Sequence, residues 1–372
     1  MVLSVIIVSY NSSSFLELCL FSVTQSLCVA KIKSEIIVVD NYSSDNSCDI
    51  VKEKFPLVTL IKNDKNEGFS KANNLGVSRA KGKYICILNP DTVLKEDTFS
   101  KILEFYKSNL KVGFVGCQMI DGNGRFLKES KRSVPSVFSS FMKLIGVSKF
   151  YYSSLDQNKR GYIDVLAGAF MFVEKQIYDS VQGFDEDYFM YGEDIDLSYK
   201  VLKSGHLNYY LGDVKIIHFK GESTDKNFIY VNRFYNAMYI FYLKHFNKFL
   251  IPKIAAYFFF KLIISIKKLS EFGNVNFRVL GSEINYENKF LITRSSNDKF
   301  NIKAKRINPK YLVVNKINNS LLIFDLNSTS LSEIINHYEY LSKTNSLRII
   351  VPNTNFYIGS DYAERKGQVI RF

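Results

Sequence analysis

Short β-branched runs alternate with helical stretches along the first half of the chain, and three of the runs end on Asn or Asp. Residues 2–8 (VLSVIIV) predict a buried strand that stops at Ser9-Tyr10-Asn11. Residues 12–28 predict a helix with Leu16, Leu20, Val23 and Leu27 on one face, since side chains three or four apart share a side. EIIVV at 35–39 is a second strand, stopped by Asp40-Asn41, and a helix at 46–54 and a strand at 57–61 follow. A helix over 68–80 is entered through Gly68, and YICIL at 84–88 is a strand ending at Asn89-Pro90-Asp91. Further strands are predicted over 163–174, 209–211 and 214–218, with a helix over 195–204 stopped by Gly205. This order predicts an α/β fold: a mixed, mostly parallel sheet with helices on both faces. In such sheets ligands collect beyond the carboxyl ends of the strands.

Past residue 225 the character changes. Tyr230, Phe234, Tyr235, Met238, Tyr239, Phe241, Tyr242 and Phe246 follow a helical pattern over 228–247, and 248–268 is apolar but studded with lysine. The tail reads as strands at 311–315, 320–325 and 347–351, with a helix at 329–343, one β-α-β unit. The expected division is therefore a first domain at 1–227, a basic aromatic helical segment at 228–275 and a small α/β domain of unknown role at 276–372. A chain of 372 residues suits two domains and a connector.

The net charge of +13 gains meaning from its location. Residues 1–225 hold 27 basic and 27 acidic side chains, so the whole excess lies beyond them. That balance argues against a nucleic-acid groove in the first domain. The lysines at 253, 261, 267 and 268 interrupt the 248–268 segment, so no lysine-free stretch reaches the ~18 residues of a membrane span. A basic aromatic helix at 228–270 lying in the headgroup layer fits better; a helical pair packed on the first domain is the other reading. Five cysteines with no CxxC pair, and no basic region before the first apolar run, predict free thiols in the cytoplasm, which would put the basic segment on the inner face of the membrane.

Several residues carry chemistry. Asp91, after a buried strand, can hold a divalent cation that bridges two phosphates, or can serve as an ordinary helix cap. Asp40-Asn41 can accept hydrogen bonds from a base or ribose, or end the strand in an Asx turn. Asn66-Glu67-Gly68 with Asn74 brings amides and glycine to a helix start that could approach a diphosphate. Neither GxGxxG nor a Walker loop is present. Glu193, Asp194 and Asp196 are three carboxylates within four residues, which like-charge repulsion disfavours without a counter-charge. Asp194 is the choice for a general base, which a sugar hydroxyl needs in order to attack an anomeric carbon. His218, at a strand end, completes a metal site or is structural.

The order of these pieces carries a resemblance. SVIIVSYN, EIIVVDNYSSDNS, NEGFSKANNLG, LNPDT, LAGAFMFV, GFDEDYFMYGEDIDLSYK and IIHFKGEST resemble, over residues 3–245, the family 2 glycosyltransferases, above all the rhamnosyltransferase-like branch of bacterial surface polysaccharide synthesis. The resemblance implies a GT-A fold, an inverting transfer from a nucleotide-sugar donor, Mg²⁺ or Mn²⁺, and a saccharide acceptor, here expected to be polyprenyl-diphosphate-linked. It implies nucleotide-sugar contacts at Tyr10, Asn11, Asp40, Asn41, Asn74 and Asn89, and metal ligands at Asp91 and His218. It also implies the base at Asp194, with Glu193 and Asp196 beside it, and an acceptor-side loop at Gly168, Asp185 and Glu186. The DxD position reads Asn-Pro-Asp, leaving one carboxylate, and QxxRW is absent, so one sugar per encounter is expected. Two other functions compete: a non-catalytic carbohydrate-binding or scaffolding shell, and a nucleotidyltransferase. The second needs a basic Gly-rich loop where this chain has Tyr10-Asn11-Ser12-Ser13.

Overall fold

The computed structural model describes residues 1–135, 149, 151–220, 228–246, 260–261, 265, 286–295, 300–314, 317–362 and 367–372. Of the lysine-rich stretch at 248–268, only Phe260, Lys261 and Ser265 fall among them, so that part of the membrane-surface reading for 228–270 lies outside the described residues.

The first sheet is built from β1 (Leu3–Ser9), β2 (Ser34–Asp40), β3 (Thr59–Lys62), β4 (Tyr84–Leu88), β5 (Thr92–Val93), β6 (Val112–Ile120), β7 (Arg160–Tyr162), β8 (Phe170–Glu174) and β9 (Leu207–His218). Its order is β3-β2-β1-β4-β8-β6-β9-β5, with β7 on the side of β9. Strands β1 to β4 run parallel to one another, as expected. Val5 and Ile7 of β1 face a layer containing α1 (Ser13–Ala30), α2 (Ser47–Lys54) and α4 (Thr98–Ser108). Ile6 faces the opposite layer, with α3 (Phe69–Arg79), α5 (Lys175–Ser180) and α6 (Glu193–Lys203). Burial on both faces is why these strands read as unbroken apolar runs. By length and composition α1 is the one described helix able to cross a bilayer. Leu16, Cys19, Leu20 and Val23 nevertheless turn that apolar side onto the sheet.

One reversal positions the site. Strand β8 is antiparallel to β4, with Leu88 opposite Phe170. The segment entering β8 thus meets the segment leaving β4, at the carboxyl edge of β1 and β2.

The structure corrects several sequence expectations. The run at 163–174 is a strand only over Phe170–Glu174, and 209–211 and 214–218 fuse into β9, whose register slips between Leu211 and Lys215. Strand β6, wholly buried, was not predicted because Gly113 and Gly116 break its apolar pattern. A side chain at Gly116 would collide with Leu166, so the glycine marks a close approach rather than a break.

In the tail, 311–315 is not a strand. It falls largely in α8 (Pro309–Val314), opened by a proline in the first turn, where a missing N–H costs nothing. The tail also exceeds one β-α-β unit. It forms a six-stranded sheet, ordered β11-β10-β12-β13-β14-β15, from β10 (Asn288–Ile292), β11 (Lys305–Ile307), β12 (Ser320–Asp325), β13 (Ser346–Ile350), β14 (Phe356–Gly359) and β15 (Gln368–Arg371). With α9 (Leu331–Leu341), one face of it packs on Phe15, Leu18, Val93, Ile120, Ile217 and Phe219 of the first domain in one continuous core.

Candidate active site

The turn leaving β4 is closed by Thr92 Oγ1 donating to Asn89 O at 2.8 Å, which turns Asp91 inward to 4% exposure. Antiparallel pairing of Thr92 with His218, and Phe219 N donating to Asp91 O at 3.0 Å, bring the end of β9 alongside. His218 Nε2 lies 3.3 Å from Asp91 Oδ1 and 3.4 Å from Asn89 Nδ2. Asp91 Oδ1 and Asn89 Oδ1 are buried and accept no hydrogen bond among the described residues. Leaving such oxygens unpaired costs roughly 1–3 kcal/mol each. The unsatisfied oxygens of Asp91 and Asn89 beside the His218 imidazole suit a divalent cation. Among the described residues no three His, Cys, Asp or Glu side chains converge, so a cation here would take most of its ligands from substrate oxygens and water.

The three carboxylates at the start of α6 go separate ways. Tyr191 and Gly192, both at positive φ (72° and 79°), swing the chain into the helix. Glu193 turns inward, with Oε2 buried and without a hydrogen bond among the described residues. Burial first, and the Asp194 charge second, push its carboxyl up to about 8, so it holds a proton at neutral pH. Asp196 is 1% exposed and accepts from His245 Nε2 at 2.6 Å, which ties α6 to α7 (Phe228–His245). Asp194 Oδ2 accepts from Arg132 Nη2 at 2.5 Å and from Gly168 N at 2.9 Å, and Oδ1 accepts from Ile195 N at 2.8 Å. Burial opposes the Arg132 charge, but the Asp194 carboxylate more than offsets it and raises the guanidinium pKa. Breaking such a buried pair from one side costs about 3–5 kcal/mol. Sequence reasoning missed Arg132, the counter-charge that the carboxylate cluster demanded. Its only signal was a basic pair, Lys131-Arg132, that is buried rather than solvated.

Both halves belong to one site. Asp194 bonds to Gly168 N, the adjacent Ala169 O accepts from Asn89 N at 3.0 Å, and Asp91 stands two residues further on.

At the exits of β1 and β2, Asp40 is 3% exposed, with Oδ2 taken by Ser43 N at 3.1 Å and Oδ1 without a hydrogen bond among the described residues. Tyr10, 37% exposed, directly follows Ser9, the β1 residue paired with Asp40. Asn11 laces the two loops, accepting from Ser44 N at 2.7 Å and donating its own N–H to Ser43 Oγ at 3.0 Å. Asn41 is absorbed internally: it accepts from Asn63 Nδ2 and Glu67 N and donates to Asn66 Oδ1 and Gly68 O. Asn74 likewise bonds Tyr178 OH, Phe184 N, Phe184 O and Glu186 Oε1, holding the 184–186 loop on α3. The first turn of α3 is met by Phe189 O, which accepts from Phe69 N at 2.8 Å. A side chain at Gly68 (φ +85°) would strike that carbonyl. Asp185 pairs with Lys244 of α7, and Arg233 stacks 4.4 Å over the Phe189 ring, so α7 braces the 185–189 loop.

Residues 4–182 match the family described as Glycosyl transferase family 2. That match lies in the N-terminal half of the chain, and the protein is a glycosyltransferase. The chain is 25% identical over 246 residues to an N-acetylglucosaminyl-diphospho-decaprenol L-rhamnosyltransferase of Mycobacterium tuberculosis, covering 61% of this chain and 78% of that one. It is 30% identical over 161 residues to rhamnosyltransferase WbbL of Escherichia coli, covering 41% of this chain and 61% of that one. Among solved structures, S. aureus TarS 1-349 in complex with UDP-GlcNAc is similar with a TM-score of 0.49 and 17% identity, over 75% of this chain and 76% of that one.

Proposed function

We propose that the protein transfers a single sugar, with inversion, from a nucleoside-diphosphate donor to a hydroxyl of a lipid-linked saccharide at the inner face of the membrane. Support comes from the hydrogen-bonded path Asp194–Gly168–Ala169–Asn89, which sets a carboxylate base and the Asp91–His218 pair on one edge of the sheet. Rhamnose is the proposed sugar and a polyprenyl-diphosphate-linked saccharide the acceptor, after the two rhamnosyltransferase relatives, one of which names a diphospho-decaprenol.

Asp40 Oδ1 accepts from the nucleoside, and Tyr10 offers its exposed ring to the base. Asp91 and His218, with Asn89 beside them, would hold Mg²⁺ or Mn²⁺, which would neutralise charge on the diphosphate leaving group. Asp194 removes the proton of the acceptor hydroxyl. The freed oxygen attacks the anomeric carbon from the face opposite the diphosphate, and the C–O bond to phosphate breaks with its electron pair leaving on the nucleoside diphosphate. Asp194→Asn keeps the shape of the side chain and removes its basicity, so it lowers turnover by ~10²-fold or more while donor binding persists. Wild-type turnover in that variant would move the base elsewhere. Nucleotide sugars for the assay come from a thermal-shift screen with Mn²⁺, since a ligand of the native state raises the melting point.

A further inference from the structure

The geometry points to Arg132 as the positioning residue of the transfer, fixing Asp194 so that one carboxylate oxygen, Oδ1, is left to receive the acceptor proton. This inference rests on Asp194 as the base. A carboxylate oxygen has two lone pairs. Those of Oδ2 are both engaged, by Arg132 Nη2 at 2.5 Å and Gly168 N at 2.9 Å. Among the described residues Oδ1 accepts only Ile195 N, at 2.8 Å, so one lone pair remains. The clamp decides which oxygen works.

Arg132 is itself held rigidly. Its backbone exchanges two hydrogen bonds with Val165, both 3.0 Å, and Nη2 also donates to Leu166 O at 2.6 Å. Three residues earlier, Glu129 pairs with Lys220 at 2.5 Å, two residues beyond His218. The base and the metal-side strand thus share one brace.

The charged groups around the pair favour the same role. Glu193 faces Asp194 from α6, and Glu129 and Tyr151 face Arg132. Glu193 keeps its proton at neutral pH and offers no competing acceptor. Arg132 cannot take the proton, because a guanidinium stays charged at any working pH. It therefore acts through the orientation of Asp194, not as an acid or base.

The test uses the full chain with Arg132→Gln, Arg132→Lys and Arg132→Ala. Turnover is measured against pH, donor KM separately, and affinity for the nucleoside diphosphate with Mn²⁺ by calorimetry. Misplacing a reacting group by about 1 Å costs ~10²-fold, so kcat of the Gln variant should fall by about that factor with donor KM changed less than about threefold. Removing the positive charge should also move the acidic limb of the kcat profile to higher pH, because a cation beside a carboxylate favours its ionised form. Added guanidinium should restore part of the turnover of Arg132→Ala. The Lys variant, which keeps the charge and loses the fork, should fold even if the others do not and should lose about tenfold in kcat.

Folded variants with near-wild-type kcat and an unmoved pH limb would overturn the proposal. So would a loss of nucleoside-diphosphate binding in step with kcat, which would make Arg132 a substrate ligand. Asp194→Asn runs in parallel: full turnover there defeats the base assignment itself, whereas an inactive Asp194→Asn beside an unaffected Arg132→Gln defeats this inference alone.

Discussion

The Glu96 carboxylate accepts the backbone N–H of Leu331 at 2.7 Å, across the boundary between the two sheets. Its other oxygen accepts Ser332 N at 2.9 Å, so a side chain of the first domain caps a helix of the second. An anion there satisfies orphan N–H groups and meets the positive end of the helix. Glu96→Ala should lower stability by about 1–2 kcal/mol in urea unfolding, within one cooperative transition. An unchanged midpoint would show that water serves that helix end equally well.

Glu193 gives a pH signature. Its folded carboxyl sits at about 8, against an ordinary value of 4.5. The native state keeps a proton that the unfolded chain releases, so this group's contribution to stability declines as pH rises through that window. Glu193→Gln, neutral throughout, should show a flatter melting-temperature profile between about pH 4.5 and 8 and exceed wild type at the upper end. Its turnover near neutrality should stay within about threefold, since a protonated Glu is no base. Parallel profiles for the two proteins would refute the protonated assignment.

Glu129 behaves in the opposite sense. Burial alone would raise its carboxyl, but the Lys220 ammonium and its hydrogen bond more than offset this and hold it at about 2. Stability from this group is present above the ordinary value and disappears as pH falls toward about 2. Glu129→Gln should be less stable at neutral pH and lose less on acidification, followed by circular dichroism. An acid transition as steep as wild type would exclude the pair as a contributor.

His218 and Asp91 predict different degrees of metal dependence. His218→Ala should raise the Mn²⁺ concentration for half-maximal turnover by roughly tenfold or more, while Asp91→Asn should leave no response to Mn²⁺ in either turnover or thermal shift. Equal half-saturation in wild type and His218→Ala would remove the histidine from the site.

The parallel half of the first sheet was legible because β1, β2 and β4 are buried on both faces and announce themselves as apolar runs ending in Asn or Asp. The pairing of Asp91 with His218 was legible as well, each lying at the end of such a run. Strand β6 and Arg132 were not. Gly116 is dictated by Leu166 above it, and Arg132 by a carboxylate 62 positions away, so neither leaves a local periodic trace. Asn41 and Asn74 look like ligand contacts in sequence, whereas their donors and acceptors are engaged by neighbouring loops. The tail was under-read for a related reason. Strands β10 and β15 carry exposed residues and show too little hydrophobic contrast to stand out.

The core that Phe15, Val93 and Phe219 share with Ile334, Tyr338 and Ile349 limits how this chain can be recombined. Cutting between the two sheets would lay bare greasy surface directly behind Asp91 and His218. A chimaera that grafts this transferase onto another tail must redesign both sides of that seam together, or carry the native tail along as part of the catalytic body.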